Sequence, residues 1–465
     1  MNESSIDGRL PAMPARYRMI WRWHFYAGLA CIPFIIWLSV TGAIYLFKPQ
    51  FEAWQDRAYE HLPMSGAVSA PSQQVAAALA AVPGTRLNAY QIPRTADSAA
   101  QIIVGQGESV YRAYVNPRSL EVLKLINDDH RPMQVVHDLH GRVLIGDPGS
   151  MLTELAASWG IVMIVSGLYL WWPRDARGLG GVLYPRLNRR GRPFWRDLHG
   201  VAGFWVSAFA LFLIVSGLPW THFWGSNFRA LRQIGQAEAV KQDWATGRSA
   251  EMAERMAMNR PADVGDEHSQ HRHGMTMAAP SDAGVVDTAA LDRIVATLAP
   301  MSLAQPVKVY PPSQKSAQWY AWSLPPDRTQ RVKLTFDAAT GAVRTRQEFS
   351  DKRLIDRIVG VGVSAHEGQL FGWFNQMLGL LTTAGLIALS LSGFMAWFKR
   401  RPQGLLGAPP VLLGRGVPAA LWGPALLLGL LLPMLGLSMI AVLIVERLLL
   451  RRIPGVRDFL GLQPA

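Results

Sequence analysis

The sequence predicts an α-helical integral membrane protein with two α+β domains outside the cytoplasm, in a duplicated span–domain–span arrangement followed by a C-terminal hydrophobic segment. Three observations predict it. Half of the 465 residues are hydrophobic and only 17% are charged, a balance suited to hydrocarbon. Four apolar stretches, at about 19–47, 152–172, 200–220 and 373–398, reach the roughly 20 residues that a helix needs to cross a bilayer. The two halves of the chain also repeat each other's motifs at fixed offsets.

Charge placement orients the spans. The net charge of +13 could suit nucleic acid, but the arginines lie beside apolar runs: Arg16, Arg18 and Arg22, the segment from Arg174 to Arg196, Lys399 to Arg401, and Arg447 to Arg457. That is the positive-inside pattern of a multi-pass protein of the bacterial inner membrane, with lipid and not nucleic acid as its surroundings. With these segments inside, residues 1–47 are a cytoplasmic N-terminus and first span, and 48–140 a first periplasmic domain. A second span (141–172), a basic cytoplasmic loop (173–198) and a third span (199–221) follow. Residues 222–366 form the second periplasmic domain and 367–398 the fourth span. The first apolar run is too long for a signal-peptide core, and the KPQFEAWQD after it offers no small-residue cleavage site, so it reads as a retained span.

The C-terminal segment, 399–465, holds a fifth apolar region at about 417–446. As one straight helix its thirty or so residues would extend about 45 Å, more than the hydrocarbon requires. Pro424 and Pro433 interrupt it and arginines follow it, which favours a helical hairpin over one tilted span.

Both external domains show a strand, a turn and a returning strand: YRAYVNPRSLEVLKL at 111–125 and VKLTFDAATGAVRTRQEF at 332–349. A helix is expected near 72–81. The polar stretch between Gln236 and Asp287, with HSQHRHGMTM at 268–277, reads as a flexible insertion whose Met and His side chains also suit soft-metal capture.

The repeats align four histidines. His24 precedes Thr41-Gly42 by 17 residues, as His199 precedes Ser216-Gly217; His140 precedes Ser166-Gly167 by 26, as His366 precedes Ser392-Gly393. Gly28 and Gly203 lie four residues after the first two, and Gly146 and Gly372 six after the others. Parallel repeats related by an axis along the membrane normal would bring equivalent residues to face each other. His24 and His199 would then pair near the cytoplasmic side, and His140 and His366 near the outer side. Two facing imidazoles suit the axial positions of haem iron, with Gly28 and Gly203 leaving room for the macrocycle. The plainer alternative is four interfacial histidines bonding helix carbonyls. His137 and His222 have no histidine counterpart, since the same offsets fall on Val363 and Phe47; nor do Asp138 and Glu367 match each other. Cys31 is the only cysteine, so any haem is non-covalent and no thiolate cluster is possible.

Taken together, WRWHFYAG at 21–28, HDLHGRVLIGDPG at 137–149, SGLYLWWPR at 166–174, FWRDLHGVAG at 194–203 and HEGQLFGW at 366–373 resemble the PepSY-associated transmembrane family. That family includes iron-regulated inner-membrane proteins and siderophore-iron reductases. The resemblance implies PepSY-like external modules, two b-type haems on His24, His199, His140 and His366, and an oxidoreductase reducing ferric chelates or siderophores for iron uptake. No catalytic residue is assigned. No GxGxxG follows a strand, so electrons must come from a cytoplasmic reductase or a membrane quinol. Two other classes stay open: a non-redox PepSY-type regulator that binds peptides or modulates a protease, and a periplasmic copper-handling protein. A chelate groove near the His140–His366 haem, lined by Trp54, Trp319 or Trp322, is expected, with domain core as the other role for these rings.

Overall fold

A computed structural model describes residues 15–173, 178–234, 245–261, 286–409 and 419–463. In chain order its helices are α1 (Ala15–Tyr45), α2 (Lys48–Asp56), α3 (Pro71–Ala81), α4 (Pro132–Arg142), α5 (Asp147–Trp171), α6 (Arg192–Gly217) and α7 (His222–Gln233). There follow α8 (Gly247–Met258), α9 (Thr288–Leu298), α10 (Leu354–His366), α11 (Trp373–Phe398), α12 (Ala419–Leu431), α13 (Pro433–Val445) and α14 (Pro454–Leu460). The chain divides into two compact units, one of residues 1–43, 148–231 and 379–465, the other of 44–147 and 232–378.

The first unit is built of spans. Among the described residues five helices are long and apolar enough to cross a membrane: Arg16–Tyr45, Asp147–Trp171, Arg192–Trp220, Trp373–Phe398 and Pro433–Leu450. Their outward side chains are large and apolar, as at Trp205, Phe209, Leu391, Leu437 and Ile440, which water would penalise and lipid would not. The hydroxyls of Thr41 and Ser216 bond back to the carbonyls of Trp37 (2.8 Å) and Phe212 (2.7 Å), so these repeat residues satisfy themselves within their own helices. The C-terminal region is a hairpin. Pro433 starts a new helix, and an added Cβ on Gly429 would stand only 3.3 Å from the Gly436 Cα, so two small residues let α12 fold back against α13. Leu432 and Leu435 pack with Ile161 and Leu218 as a small core, and the Trp159 indole donates to Ser438 (3.0 Å). Arg22 and Tyr26 donate to the carbonyls of Gly461 (2.7 Å) and Leu460 (2.5 Å), tying the basic tail to α1.

The second unit holds one antiparallel sheet. Its strands are β1 (Arg86–Gln91), β2 (Ala100–Gln106), β3 (Ser109–Val115), β4 (Val122–Asn127), β5 (Val307–Tyr310), β6 (Tyr320–Ser323), β7 (Val332–Phe336) and β8 (Val343–Gln347). Their order is β4-β3-β2-β1-β5-β6-β7-β8. The two segments expected to form separate domains therefore do not: β1 pairs with β5 through Tyr90↔Val309 and Gln91↔Lys308, and the halves share one sheet. They share one core as well. Ile102, Val104, Val115, Val309, Leu334 and Phe336 turn to one face, where α3 supplies Val75 and Ala78 and α9 supplies Leu291 and Ile294. Each fully buried aliphatic side chain contributes about 1.5–3 kcal/mol, and both halves of the sheet supply residues to this one core. Residues 222–231, expected within the second external domain, group instead with the spans.

The expected turns are present. Asn116 Oδ1 accepts from the Arg118 and Ser119 amides, and Asp337 Oδ1 from those of Ala339 and Thr340, so each short polar side chain closes its own reversal. Part of the stretch read as a flexible insertion is ordered: residues 247–258 form α8, pinned by Arg255 to Asp129 (2.8 Å) and by Glu251 to Arg142 (2.6 Å). The motif at 268–277 lies outside the described residues. Trp319 is buried in the sheet core and is not available to line a groove; Trp54 is exposed, and Trp322 lies on the opposite sheet face beneath Lys333.

Candidate functional site

Two histidine pairs form, each within one unit. His24 on α1 and His199 on α6 face each other with ring centroids 6.3 Å apart and planes at 79°. His140 on α4 and His366 at the end of α10 do so at 6.5 Å and 75°. The four residues matched by the repeat are thus brought together two by two, as expected.

The first pair sits among apolar helices, and its outer ring nitrogens are spoken for. His199 Nδ1 lies 2.9 Å from the Leu389 carbonyl, which can only accept, so Nδ1 carries the hydrogen. His24 Nδ1 lies 2.8 Å from Ser166 Oγ, whose own hydrogen goes to the Val162 carbonyl at 2.6 Å. The serine oxygen is then an acceptor, and His24 too is protonated at Nδ1. Both rings are left with a free Nε2 lone pair, the arrangement a metal-binding imidazole needs.

Glycine makes room for both rings. A Cβ at Gly167 would come within 3.1 Å of His24 Cε1, and one at Gly393 within 2.9 Å of both Cε1 and Nδ1 of His199. Each Ser-Gly of an even-numbered span therefore cradles a histidine of an odd-numbered one, a role that only the matched offsets hinted at. Gly28 and Gly203, expected to clear space for a macrocycle, instead admit the ends of Met163 (3.1 Å) and Leu389 (3.3 Å).

The second pair lies where two short helices meet charged neighbours. Gly146 and Gly372, six residues beyond the two histidines, both take left-handed backbone (φ 71° and 59°), which lets a helix end and a span begin in a new direction. Val143 and Leu144 are also left-handed (φ 50° and 59°), a strained conformation for such side chains just after His140. On α4, Asp138 bonds Arg142 (3.0 Å) and His137 (3.3 Å), and the His137 ring packs 5.7 Å from that of Tyr45. Burial works to raise the Asp138 carboxyl, but His137, Arg142 and Arg248 together hold it below its ordinary value. Glu367 behaves alike: burial opposes its charge, and Arg328, Lys48 and Arg331 outweigh burial and lower its pKa. His222, the other histidine without a repeat partner, donates its backbone N–H to Ser150 Oγ at the start of α7, beside the amides of Phe223 and Trp224 that Glu154 accepts (3.1 Å each). Ser150 and Glu154 thus serve the first amides of α7, and His222 supplies one of them through its backbone.

Among the described residues no three or more His, Cys, Asp or Glu side chains converge as a metal-ion site. The first pair offers the two Nε2 lone pairs, and any metal held by them must take its other donors from elsewhere. The family described as PepSY-associated TM region matches residues 21–400, and the chain belongs to it; with five apolar helices, it is a multi-pass membrane protein. No curated protein matches the chain.

Proposed function

We propose that this member of the PepSY-associated TM family is a di-haem b electron conduit of the bacterial inner membrane that reduces ferric chelates, ferric siderophores among them, in the periplasm. The observation that carries the reading is the spacing of the imidazoles. The two pairs stand with ring centroids 6.3 and 6.5 Å apart, a span that suits one metal ion held between two imidazoles. A porphyrin would supply the remaining donors, which do not converge among the described residues. His24 and His199 would hold one haem and His140 and His366 the other, without a covalent thioether because Cys31 is the only cysteine.

When bound, haem iron supplies one-electron transfer, its potential tuned by axial ligands and burial. The chain's own part follows from its geometry. Ser166 and the Leu389 carbonyl orient the first pair, and Gly167 and Gly393 let the rings approach their helices. A haem held by both histidines of a pair would supply outer-sphere electron transfer, the chemistry that suits a ferric chelate. The arginine-rich segments favour a cytoplasmic N-terminus, a cytoplasmic reductase or membrane quinol as donor, and exit from the His140–His366 side.

The test is direct. Purified protein should yield two haems per chain in a pyridine haemochrome assay, all extractable by acid–acetone. In oriented vesicles with prereduced haems, ferric chelate should reoxidise them quickly only when added on the side of the sheet-bearing unit. Absence of haem sinks the reading, and oxidation by cupric ions alone would favour copper handling.

A further inference from the structure

The repeat equates Ser166 with Ser392, yet the structure gives the two serines different work. Resting on the haem reading above, we propose that Ser166 is a positioning residue that holds the Nδ1 hydrogen of His24 and thereby sets the potential of the first haem, whereas Ser392 has no such role.

The difference begins with which carbonyl each hydroxyl uses. Ser166 donates four residues back, to Val162 (2.6 Å), and its oxygen turns to His24 Nδ1 at 2.8 Å. Ser392 donates three residues back, to Leu389 (3.0 Å), and that same carbonyl takes the His199 Nδ1 hydrogen at 2.9 Å. One imidazole is therefore held by a side chain and the other by main chain. Gly167 and Gly393 lie along the two rings, where an added Cβ would stand 3.1 Å from His24 Cε1 and 2.9 Å from His199 Cε1.

A hydrogen bond accepted from Nδ1–H makes the imidazole a stronger electron donor and so favours ferric over ferrous iron. Deleting the Ser166 hydroxyl leaves that N–H facing a methyl group in an apolar span. The ferrous state should gain. Deleting the Ser392 hydroxyl leaves the Leu389 carbonyl in place for His199 and takes nothing from either ring.

The experiment is potentiometric titration of full-length protein with its haems bound, wild type beside Ser166→Ala, Ser166→Thr, Ser166→Cys and Ser392→Ala, with haem per chain counted in each. Expected for Ser166→Ala is one of two midpoints moved positive, by about a tenfold change in the ferrous-to-ferric ratio, or about 59 mV for one electron. Ser166→Thr, which keeps the hydroxyl, should restore the wild-type value, and Ser392→Ala should leave both midpoints in place. Unchanged midpoints in Ser166→Ala, or an equal shift in Ser392→Ala, overturns the proposal. If Ser166→Ala retains no haem, Ser166→Cys decides: a positive shift with this weak acceptor supports the assignment, and a wild-type midpoint refutes it. A wild-type chain without haem removes the function reading itself, a result distinct from two haems with unmoved potentials.

Discussion

The two histidine pairs are alike in spacing and unlike in surroundings. His24 and His199 are held by a hydroxyl and a carbonyl within apolar spans, whereas His140 and His366 stand among Asp138, Arg142, Glu367 and Arg328 in the sheet-bearing unit. The contrast follows from solvent. A charge inside hydrocarbon costs several kcal/mol, so a span orients a ligand with neutral dipoles; beside a polar sheet, opposed charges can do the same work. The first pair should therefore answer to shape and hydrogen bonding, and the second to pH.

The largest effect expected is loss of a whole haem. His199→Ala should leave one haem per chain, as should His366→Ala, and the double variant should leave none. Retention of both haems in either single variant, measured by haemochrome, would dissolve the pairing on which the comparison rests.

Next come the glycine cradles, which should affect only the first pair. Gly393→Ala places its methyl 2.9 Å from the His199 ring, and Gly167→Ala places one 3.1 Å from His24. A shift of a few tenths of an ångström in a ligand is costly, so haem affinity at this pair should fall about tenfold, more for Gly393→Ala than for Gly167→Ala. Haem-transfer titration to an apo acceptor checks the order, and equal affinity in all three proteins would show that the rings have room to spare.

Acid should separate the pairs in the other direction. In the sheet-bearing unit, burial raises the Asp128 carboxyl but Arg112, bonded at 2.9 Å, overrides it and depresses the pKa to about 2. A depressed carboxyl stabilises fully above its ordinary value near 3.8 and loses that stabilisation as pH falls through about 2. The loss is on the order of 2 kcal/mol. Between pH 4 and pH 2 the His140–His366 haem spectrum should fade before the His24–His199 spectrum. Asp128→Asn should remove part of that pH dependence. Simultaneous loss of both would mean that the two environments are not independent.

The smallest effect concerns Lys308, which lies on the polar face of the sheet between Gln91 and Trp322. Burial, and then the charge of Arg112, push its pKa down to about 8. A lowered lysine costs stability while charged, fully below about 8, and the cost fades as pH rises toward the ordinary 10.5. Lys308→Met should thus stabilise the unit at pH 7 by on the order of 1 kcal/mol and flatten its rise in stability between pH 8 and 10. Thermal melts across that range would show it, and a less stable variant would mean that Lys308 serves a partner through its charge.

Much of this molecule is local and was therefore legible in order along the chain. The spans follow from apolar runs of sufficient length, and the turns at Asn116 and Asp337 from side chains that bond their own backbone. The left-handed Gly146 and Gly372 mark the same joint twice, each six residues after a histidine and just before a span begins. Matched offsets sufficed to pair His24 with His199 and His140 with His366. What depends on partners distant in sequence was decided by the tertiary structure. Periodicity marks which face of a strand is apolar, but not which edge it will meet, so the joining of β1 to β5 into one sheet, and with it the burial of Trp319, could not be read from either half. The same holds for α8, whose polar sequence is ordered by ion pairs to Asp129 and Arg142. It holds most of all for Ser166 and Ser392: the chain writes them identically, and a one-residue difference in which carbonyl each hydroxyl reaches makes only one of them the partner of an imidazole.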